Sequence, residues 1–474
     1  MDSNMSTSST APASVLYRRV WRWHFYAGLL CLPFIFSLAV TGALYLFHQQ
    51  IDELVYGSVL LRAPAATQGP VLRPTQLIRG ALAAVPGQPK ALFWPADARH
   101  TAQIDVITAS GEVRQVFVDP VSGVVRGVLA EAGRLMTTIK HIHSLAIAGD
   151  GGKALIEIVA GWIIVLLLSG AYLWWPRGRS AGVVSIRSGA RGRTWWRDLH
   201  AVSGAFAGLI VLFLALTGMP WSVFWGANVN TWLTEHNLGV PKGMWRGIPK
   251  STLPAAALGD LPWAQQQDAV PASVDPHAEH QAGAHHHAPA AYRLLDNPVV
   301  RDPDDITTRI SSLGLAGNYR LALPRDGRGV YSAICMSGRR ADQRVIHLDQ
   351  YSGKVLMDIG PEQTGAVGRI TEWGVSVHQG GEYGTPNLLA MLAGCLTLIT
   401  LCISGVAMWW LRRPAGRLAA PARKADDRLA RGVLLIAVVL GCVFPLLGAS
   451  MLVLLLGDAL TGALRRGAAP HNNI

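Results

Sequence analysis

Long apolar runs alternate with polar stretches along this chain. The apolar runs fall at about 25–47, 155–175, 201–222, 386–411 and 432–457. The first, Phe25 to Phe47, holds 23 residues and no charge. At about 1.5 Å per residue it reaches across a bilayer core of about 30 Å. The other four are of similar length, so the pattern predicts about five membrane-spanning helices. The two long polar stretches each predict a short helix followed by strands. In the first, residues 72–86 read as the helix, and ALFWPA, QIDVITAS and VRQVFVDPVSGVVRGV as strands. In the second, residues 304–314 read as the helix, and YRLALP, VYSAICM and QRVIHLDQYSGKVLMDI as strands. Asp119, Ser122 and Gly123 recur in the same placing as Asp349, Ser352 and Gly353, which is turn chemistry between two strands.

The apolar runs also echo one another. With His24 aligned on His200, Gly28 falls on Gly204 and Thr41-Gly42 on Thr217-Gly218. His143 precedes Ser169-Gly170 by 26 residues, and His378 precedes Ser404-Gly405 by the same 26. Trp174-Trp175 and Trp409-Trp410 follow those glycines at equal distance. The economical reading is an internal duplication. The expected order is a disordered N-terminus (1–17), span one (18–48), an α+β domain (49–153), span two (154–176) and a basic loop (177–199). Span three (200–225), a second α+β domain (226–385), span four (386–411), a basic loop (412–431), span five (432–457) and a tail (458–474) follow. Both halves begin on the same side, as in parallel repeats about an axis along the membrane normal. The fifth span has no counterpart. The first run is too long for an ordinary signal-peptide core and no small-x-small site follows it, so a retained signal anchor is expected.

Charge sets the orientation. The net charge is +12, and its arginines crowd beside the spans: Arg18, Arg19 and Arg22, then Arg177 to Arg197, then Arg412 to Arg431. Short basic segments of this kind are expected in the cytoplasm, which puts the two α+β domains outside, in the periplasm of a Gram-negative cell. Because the basic residues flank spans and do not form one soluble face, the expected partner is the lipid bilayer and not nucleic acid. Of five cysteines, four fall in spans and none forms a CxxC, which argues against a thioredoxin-like site, a zinc ribbon or a disulfide framework.

The DxxSG turns, the His24/His200 set with its glycines and Thr-Gly pairs, and the His143/His378 set with Ser-Gly and Trp-Trp carry a resemblance. The α+β domains resemble PepSY domains, and residues 18–457 resemble the PepSY-associated transmembrane proteins. That resemblance implies a bacterial inner-membrane protein, similar to the reductases of ferric siderophores that hold b-type haem. It makes the expected fold an α-helical membrane protein of about five spans, duplicated, with two small α+β PepSY-like periplasmic domains.

The histidines are the candidate chemistry. Two neutral imidazoles can fill both axial positions of a haem iron. His24 and His200 are expected to hold one haem near the inner face, with Gly28 and Gly204 leaving room for a flat macrocycle and Arg22 and Arg197 among the arginines able to pair its propionates. The bland alternative is a pair of interfacial histidines, but an ionisable residue duplicated at matched depth favours function. His143 and His378 are expected to hold a second bis-His haem b at the outer face, against the alternative of loop histidines touching the α+β domains. His141 is a secondary candidate, matched by Ser376, and His48, matched by Phe224, is either an outer ligand or an interface residue. His24 and Thr41 are about 26 Å apart along one helix, so one haem cannot use His24 and His143 together. His277, His280, His285, His286 and His287 form a short His-rich insert of 277–287, a loose site for Cu, Zn or Ni or an insertion with no role.

No Walker A, no GxGxxG in a βαβ unit, no HExxH and no GxSxG is present, so electrons would come from membrane quinol or a cytoplasmic donor. The expected function is a di-haem oxidoreductase that reduces an outer ferric chelate. A non-catalytic PepSY module that regulates a periplasmic partner, or a metal transporter, are the rival readings.

Overall fold

A computed structural model describes residues 12–63, 69–95, 97–176, 182–236, 238–240, 247–274, 294–315, 317–335, 338–413 and 431–467. The helices among them are α1 (Pro12–Tyr45), α2 (His48–Leu60), α3 (Pro74–Ala84), α4 (Leu135–His143), α5 (Gly149–Trp174) and α6 (Gly192–Gly218). They continue as α7 (Trp225–Glu235), α8 (Pro303–Ser312), α9 (Ala366–His378), α10 (Thr385–Trp410), α11 (Arg431–Val443) and α12 (Pro445–Gly467). The chain divides into two compact units. One comprises Met1–Ala43, His141–Ala227 and Leu389–Ile474, and the other Leu44–Lys140 and Asn228–Leu388.

The first unit is helical. Four of its segments are long and apolar enough to cross a membrane: Leu16–Tyr45, Ala146–Trp174, Gly192–Trp221 and Thr385–Trp410. Leu30, Phe206, Leu209 and Leu396 are exposed on them, as lipid-facing side chains must be. Helix α1 starts at Pro12, within the segment expected to be disordered. Inside the bundle, Ala27, Cys31, Ile35, Trp162, Ile163, Val211 and Ala215 pack together. Small residues let the helices approach: a β-carbon at Gly161 would lie 3.0 Å from that of Leu447.

The fifth apolar run, expected as one span at 432–457, is not one helix. It breaks at Phe444 into α11 and α12. Pro445, with no N–H to continue the ladder of α11, opens the new helix instead. A β-carbon on Gly441 would sit 3.1 Å from the Cα of Gly448. In a continuous helix, positions seven apart are separated by about 10 Å along the axis, so here the chain doubles back and two glycines allow the crossing. Phe444 and Leu447 are buried against the bundle, and Trp162 Nε1 donates to Ser450 Oγ at 3.0 Å.

The second unit corrects another expectation. The two α+β halves are not separate domains. They share one antiparallel sheet of β1 (Gln88–Trp94), β2 (Ala102–Ile107), β3 (Val113–Val118), β4 (Val125–Ala130), β7 (Tyr319–Ala322), β8 (Val330–Cys335), β9 (Arg344–Asp349) and β10 (Val355–Ile359). Its order is β10-β9-β8-β7-β1-β2-β3-β4, with β1 and β7 joined in register from Ala91↔Ala322 to Trp94↔Tyr319. Each half alone would leave its first strand as an open edge, and pairing the two removes both edges. β5 (Lys250–Pro254) and β6 (Ala269–Pro271) form a separate ribbon. Helices α3 and α8 cover one face, burying Leu77, Ile78, Ile306 and Ile310 against Leu92, Ile104, Val116, Leu321 and Ile346. They meet through Thr75, whose N–H and hydroxyl both donate to Asp304 at 2.8 Å.

The repeated turn is built alike in both halves. The Asp119 carboxylate accepts from the N–H groups of Val121 and Ser122, and that of Asp349 from Tyr351 and Ser352. Gly123 and Gly353 follow with φ of +73° and +68°, a conformation that excludes most other residues. Each turn then holds the lead-in to its helix, Leu72 N–H on Pro120 O and Arg301 N–H on Gln350 O, both at 2.7 Å.

Candidate functional site

His24 of α1 and His200 of α6 come together in the helical unit. Their ring centroids are 6.4 Å apart and their planes nearly perpendicular, at 86°. Each ring is held by a serine from another helix. His24 Nδ1 lies 2.8 Å from Ser169 Oγ of α5, and His200 Nδ1 lies 2.9 Å from Ser404 Oγ of α10. The serine geometry settles the direction of these bonds. Ser169 Oγ is 2.7 Å from Val165 O, and Ser404 Oγ is 2.6 Å from Thr400 O. A carbonyl can only accept, so each hydroxyl proton goes to its own helix. Each serine oxygen must then accept a proton from the imidazole. Both histidines are therefore fixed as Nδ1–H tautomers, and both present a bare Nε2 lone pair.

Gly170 completes the holder of His24. A β-carbon there would meet His24 Cε1 at 3.3 Å, closer than ordinary contact. Gly405 does not do the same for His200, since nothing lies within 4 Å of its β-carbon position. Gly28 and Gly204, expected to clear space, look onto Leu166 at 3.8 Å and Leu401 at 3.5 Å, each from the helix that supplies the serine.

His143, at the end of α4, is held in the same way. Its Nδ1 is 3.0 Å from Thr41 Oγ1, and that hydroxyl donates to Ser37 O at 2.6 Å. A β-carbon at Gly42 would meet His143 Cε1 at 3.2 Å. Burial lowers the pKa of His143, so its imidazole is neutral. Thr41-Gly42 and Ser169-Gly170 are thus imidazole holders, a hydroxyl to set the tautomer and a glycine to admit the ring, while Ser404 supplies the hydroxyl for His200 without its glycine. That role was missed, although the dipeptides themselves were the signal. His378 ends α9 in the second unit, half-buried. His141 lies in α4, and His48 Nδ1 bonds Tyr45 O at 2.9 Å with its ring stacked on Tyr45. The insert with His277, His280, His285, His286 and His287 lies outside the described residues.

The arginines have partners within the protein. Arg197 is ion-paired to the fully buried Asp198 at 2.5 Å, which also takes Arg187 at 2.8 Å. That pairing lies in the first turns of α6 and leaves 43% of the Arg197 side chain exposed. Arg22 is half-buried in α1 beside His24. Arg412 stacks over Trp21 and Arg413 over Trp410, which ties the basic ends of the helices to their aromatic belt. Glu157 of α5 is a carboxylate the sequence reading passed over. It is 3% exposed and accepts from the N–H groups of Phe224 and Trp225, at 2.9 and 3.1 Å. It serves there as the cap of α7.

Among the described residues no three His, Cys, Asp or Glu side chains converge as a metal cage. What the bundle offers is a pair of neighbouring imidazoles, 6.4 Å apart between ring centroids, each with its Nε2 unprotonated. Two metal–nitrogen bonds of about 2 Å, with about 1.1 Å from each nitrogen to its ring centre, bring two ring centroids to roughly 6.3 Å. The donor set and its spacing fit a six-coordinate iron whose other four ligands come from a planar macrocycle. A family model, the PepSY-associated TM region, matches residues 21–412. No curated protein matches the chain.

Proposed function

Since the chain belongs to the PepSY-associated transmembrane family, we propose that it is a bacterial inner-membrane oxidoreductase that takes electrons from membrane quinol or a cytoplasmic donor. Its product would be a ferrous ion from a periplasmic ferric chelate, such as a ferric siderophore. The observation that carries this reading is the 6.4 Å pair of His24 and His200, each locked as the ligating tautomer by a serine. Haem b, when bound there, supplies one-electron iron chemistry. The protein's part is to bind and orient. His24 and His200 offer two Nε2 lone pairs, Ser169 and Ser404 hold the rings against rotation, and Gly170 gives the first ring its space. His143 offers a third lone pair, about 26 Å from His24 as measured along α1 to the hydroxyl of Thr41 that holds it. Its partner in the reading is His378, matched to it by the repeated 26-residue spacing. Membrane helices with apolar surfaces would keep the His24/His200 site from water, where a neutral imidazole binds iron without competition from protons.

The test is the visible spectrum of the purified full chain, oxidised and dithionite-reduced, with a pyridine-haem assay on variants. The wild type should be red and carry bis-His signatures. His24→Ala or His200→Ala should remove about half of the haem, and His143→Ala or His378→Ala the other half. Colourless wild-type protein would favour a regulatory or transport role. Unchanged haem in all four variants would sink the ligand assignment.

A further inference from the structure

The α11–α12 pair belongs to neither repeat and has no part in the redox reading. Each of its arms is short. α11 holds 13 residues, and the apolar part of α12, Pro445–Gly457, is of the same length. At about 1.5 Å per residue each arm reaches about 20 Å, short of a bilayer core of about 30 Å. The arms fold back on each other at the tip. A β-carbon on Gly448 would meet the Cα and the carbonyl oxygen of Gly441, each at 2.8 Å, so the two backbones touch where a larger residue would hold them apart. Phe444 N–H donates to Leu440 O at 2.8 Å, and Phe444 O accepts from Gly448 N–H at 3.0 Å. The residue at the tip therefore leaves neither of its own backbone groups bare, as an apolar surrounding requires.

Contacts with α5 give the depth of the tip. Leu447 lies against Gly161, and Ser450 Oγ takes the N–H of Trp162 at 3.0 Å. The Phe444 ring stands 6.0 Å from that of Trp225, whose N–H is held by Glu157 of α5. α5 ends at Trp174, beside the basic segment that opens at Arg177. From Gly161 to Trp174 is about 20 Å along the helix, which is also the reach of each arm. With Phe444 at the level of Gly161, an arm therefore ends near the level of Trp174. The charges agree. Arg431 opens the first arm, and Asp458, Arg465 and Arg466 follow the second. A crossing would carry Arg465 and Arg466 to the far side, against the bias that keeps short basic segments on one side. Leu434, Leu435, Val438, Leu452, Val453 and Leu456 are exposed along the two arms, a surface as apolar as the lipid-facing sides of the spans. We propose that α11 and α12 form a re-entrant hairpin that enters and leaves the bilayer by the leaflet of the basic segments, with its apolar surface covered by the acyl chains of that leaflet. The residues after Gly457 then share a side with the 412–431 segment, where Arg465 and Arg466 meet anionic headgroups. The hairpin needs no haem and stands without the redox reading.

Two measurements on the full chain test it. Epitope tags are placed one after Arg417 and one after Ile474, and antibody binding is read in spheroplasts and in inside-out vesicles. Both tags should be reached from the same side. Tags on opposite sides would show that the fifth apolar run crosses, and would overturn the hairpin. A shared side alone also fits two helices lying flat on the surface, so depth is read separately. Cys442, exposed beside the tip while Cys31, Cys335, Cys395 and Cys402 are buried, takes a fluorophore. It stands about 17 Å along α11 from Arg431, near the midplane of the core. In vesicles, lipids brominated at mid-chain should quench it more strongly than lipids brominated near the headgroup. Stronger quenching by the headgroup series would overturn the hairpin in favour of a flat pair. Quenching by neither would show that protein, such as a second copy of the chain, covers the surface in place of lipid, and would likewise overturn it.

Discussion

Replacing Ser169 by Ala removes one oxygen from the bundle and leaves the apolar packing in place. In the wild type that oxygen takes the Nδ1 proton of His24 at 2.8 Å while its own proton goes to Val165 O. Without it, the Nδ1–H loses its hydroxyl acceptor among packed helices. Leaving a buried donor unsatisfied costs about 1–3 kcal/mol. The ring can escape by moving its proton to Nε2, but that occupies the lone pair that would bind iron. Either outcome weakens haem binding by a similar amount. At 1.4 kcal/mol per tenfold, a loss of about 1.4–2.8 kcal/mol is a 10- to 100-fold loss of affinity, the range typical when a residue behind a metal-binding histidine is lost. The assay is titration of haem into apoprotein, followed by the Soret band. Ser169→Ala should show the weakened constant, and Ser169→Thr, which keeps a hydroxyl on the same helix, should recover most of it. Wild-type affinity in Ser169→Ala, with an unaltered spectrum, would refute the tautomer lock.

The two serine glycines should behave differently. Gly170→Ala puts a methyl 3.3 Å from His24 Cε1 and Gly42→Ala puts one 3.2 Å from His143 Cε1, so each should shift the haem spectrum or lower haem content; Gly405→Ala, with nothing within 4 Å, should leave both at wild-type values. His347 offers a test of the sheet apart from haem. It is buried, its Nδ1 is 2.8 Å from Ser332 Oγ, and burial pushes its pKa down to about 4. The unfolded chain therefore takes up a proton near pH 6.5 before the fold does, so stability is full above about pH 6.5 and is lost as pH falls towards about 4, by about 3 kcal/mol. Denaturant unfolding near neutrality and near pH 4.5 should show that loss in the wild type and a smaller one in His347→Gln, and equal losses would rule it out.

Much of this was legible from periodicity. Four long apolar runs, the turn at Asp119–Gly123 and its copy at Asp349–Gly353 were read at nearly their observed places, because length and local turn chemistry decide them. The pairing of β1 with β7 was not legible. Both strands look alike whether they end two small sheets or join one, and only the removal of two open edges decides between these. The break at Phe444 was signalled by Pro445, Gly441 and Gly448, but a proline within a membrane helix is often tolerated, as Pro33 is in α1. The histidines were found by their repeated offsets. Their holders were quoted as part of the same pattern without a role, since a serine four residues beyond a carbonyl normally bonds its own helix. Ser169 and Ser404 do that too, and it is this bond that makes their oxygens acceptors. The pairing of Arg197 with Asp198, its neighbour in sequence, was not read from the sequence.

The facing histidines share a pattern but not their surroundings. His24 is boxed in by Gly170, on a helix that also carries α12 through Gly161, Trp162 and Ser450. His200 leans on α10, where a β-carbon on Gly405 would meet nothing within 4 Å. Packing of α12 against α5 therefore reaches the holder of His24 directly. In the proposed haem site, a ring held more tightly on both sides would have less freedom to regain on release. This gives the unrepeated α11 and α12 pair a physical consequence for the site even though neither helix supplies a ligand. It also orders one pair of substitutions: a methyl at Gly405, where there is room, should be accommodated more easily than one at Gly170, which meets His24.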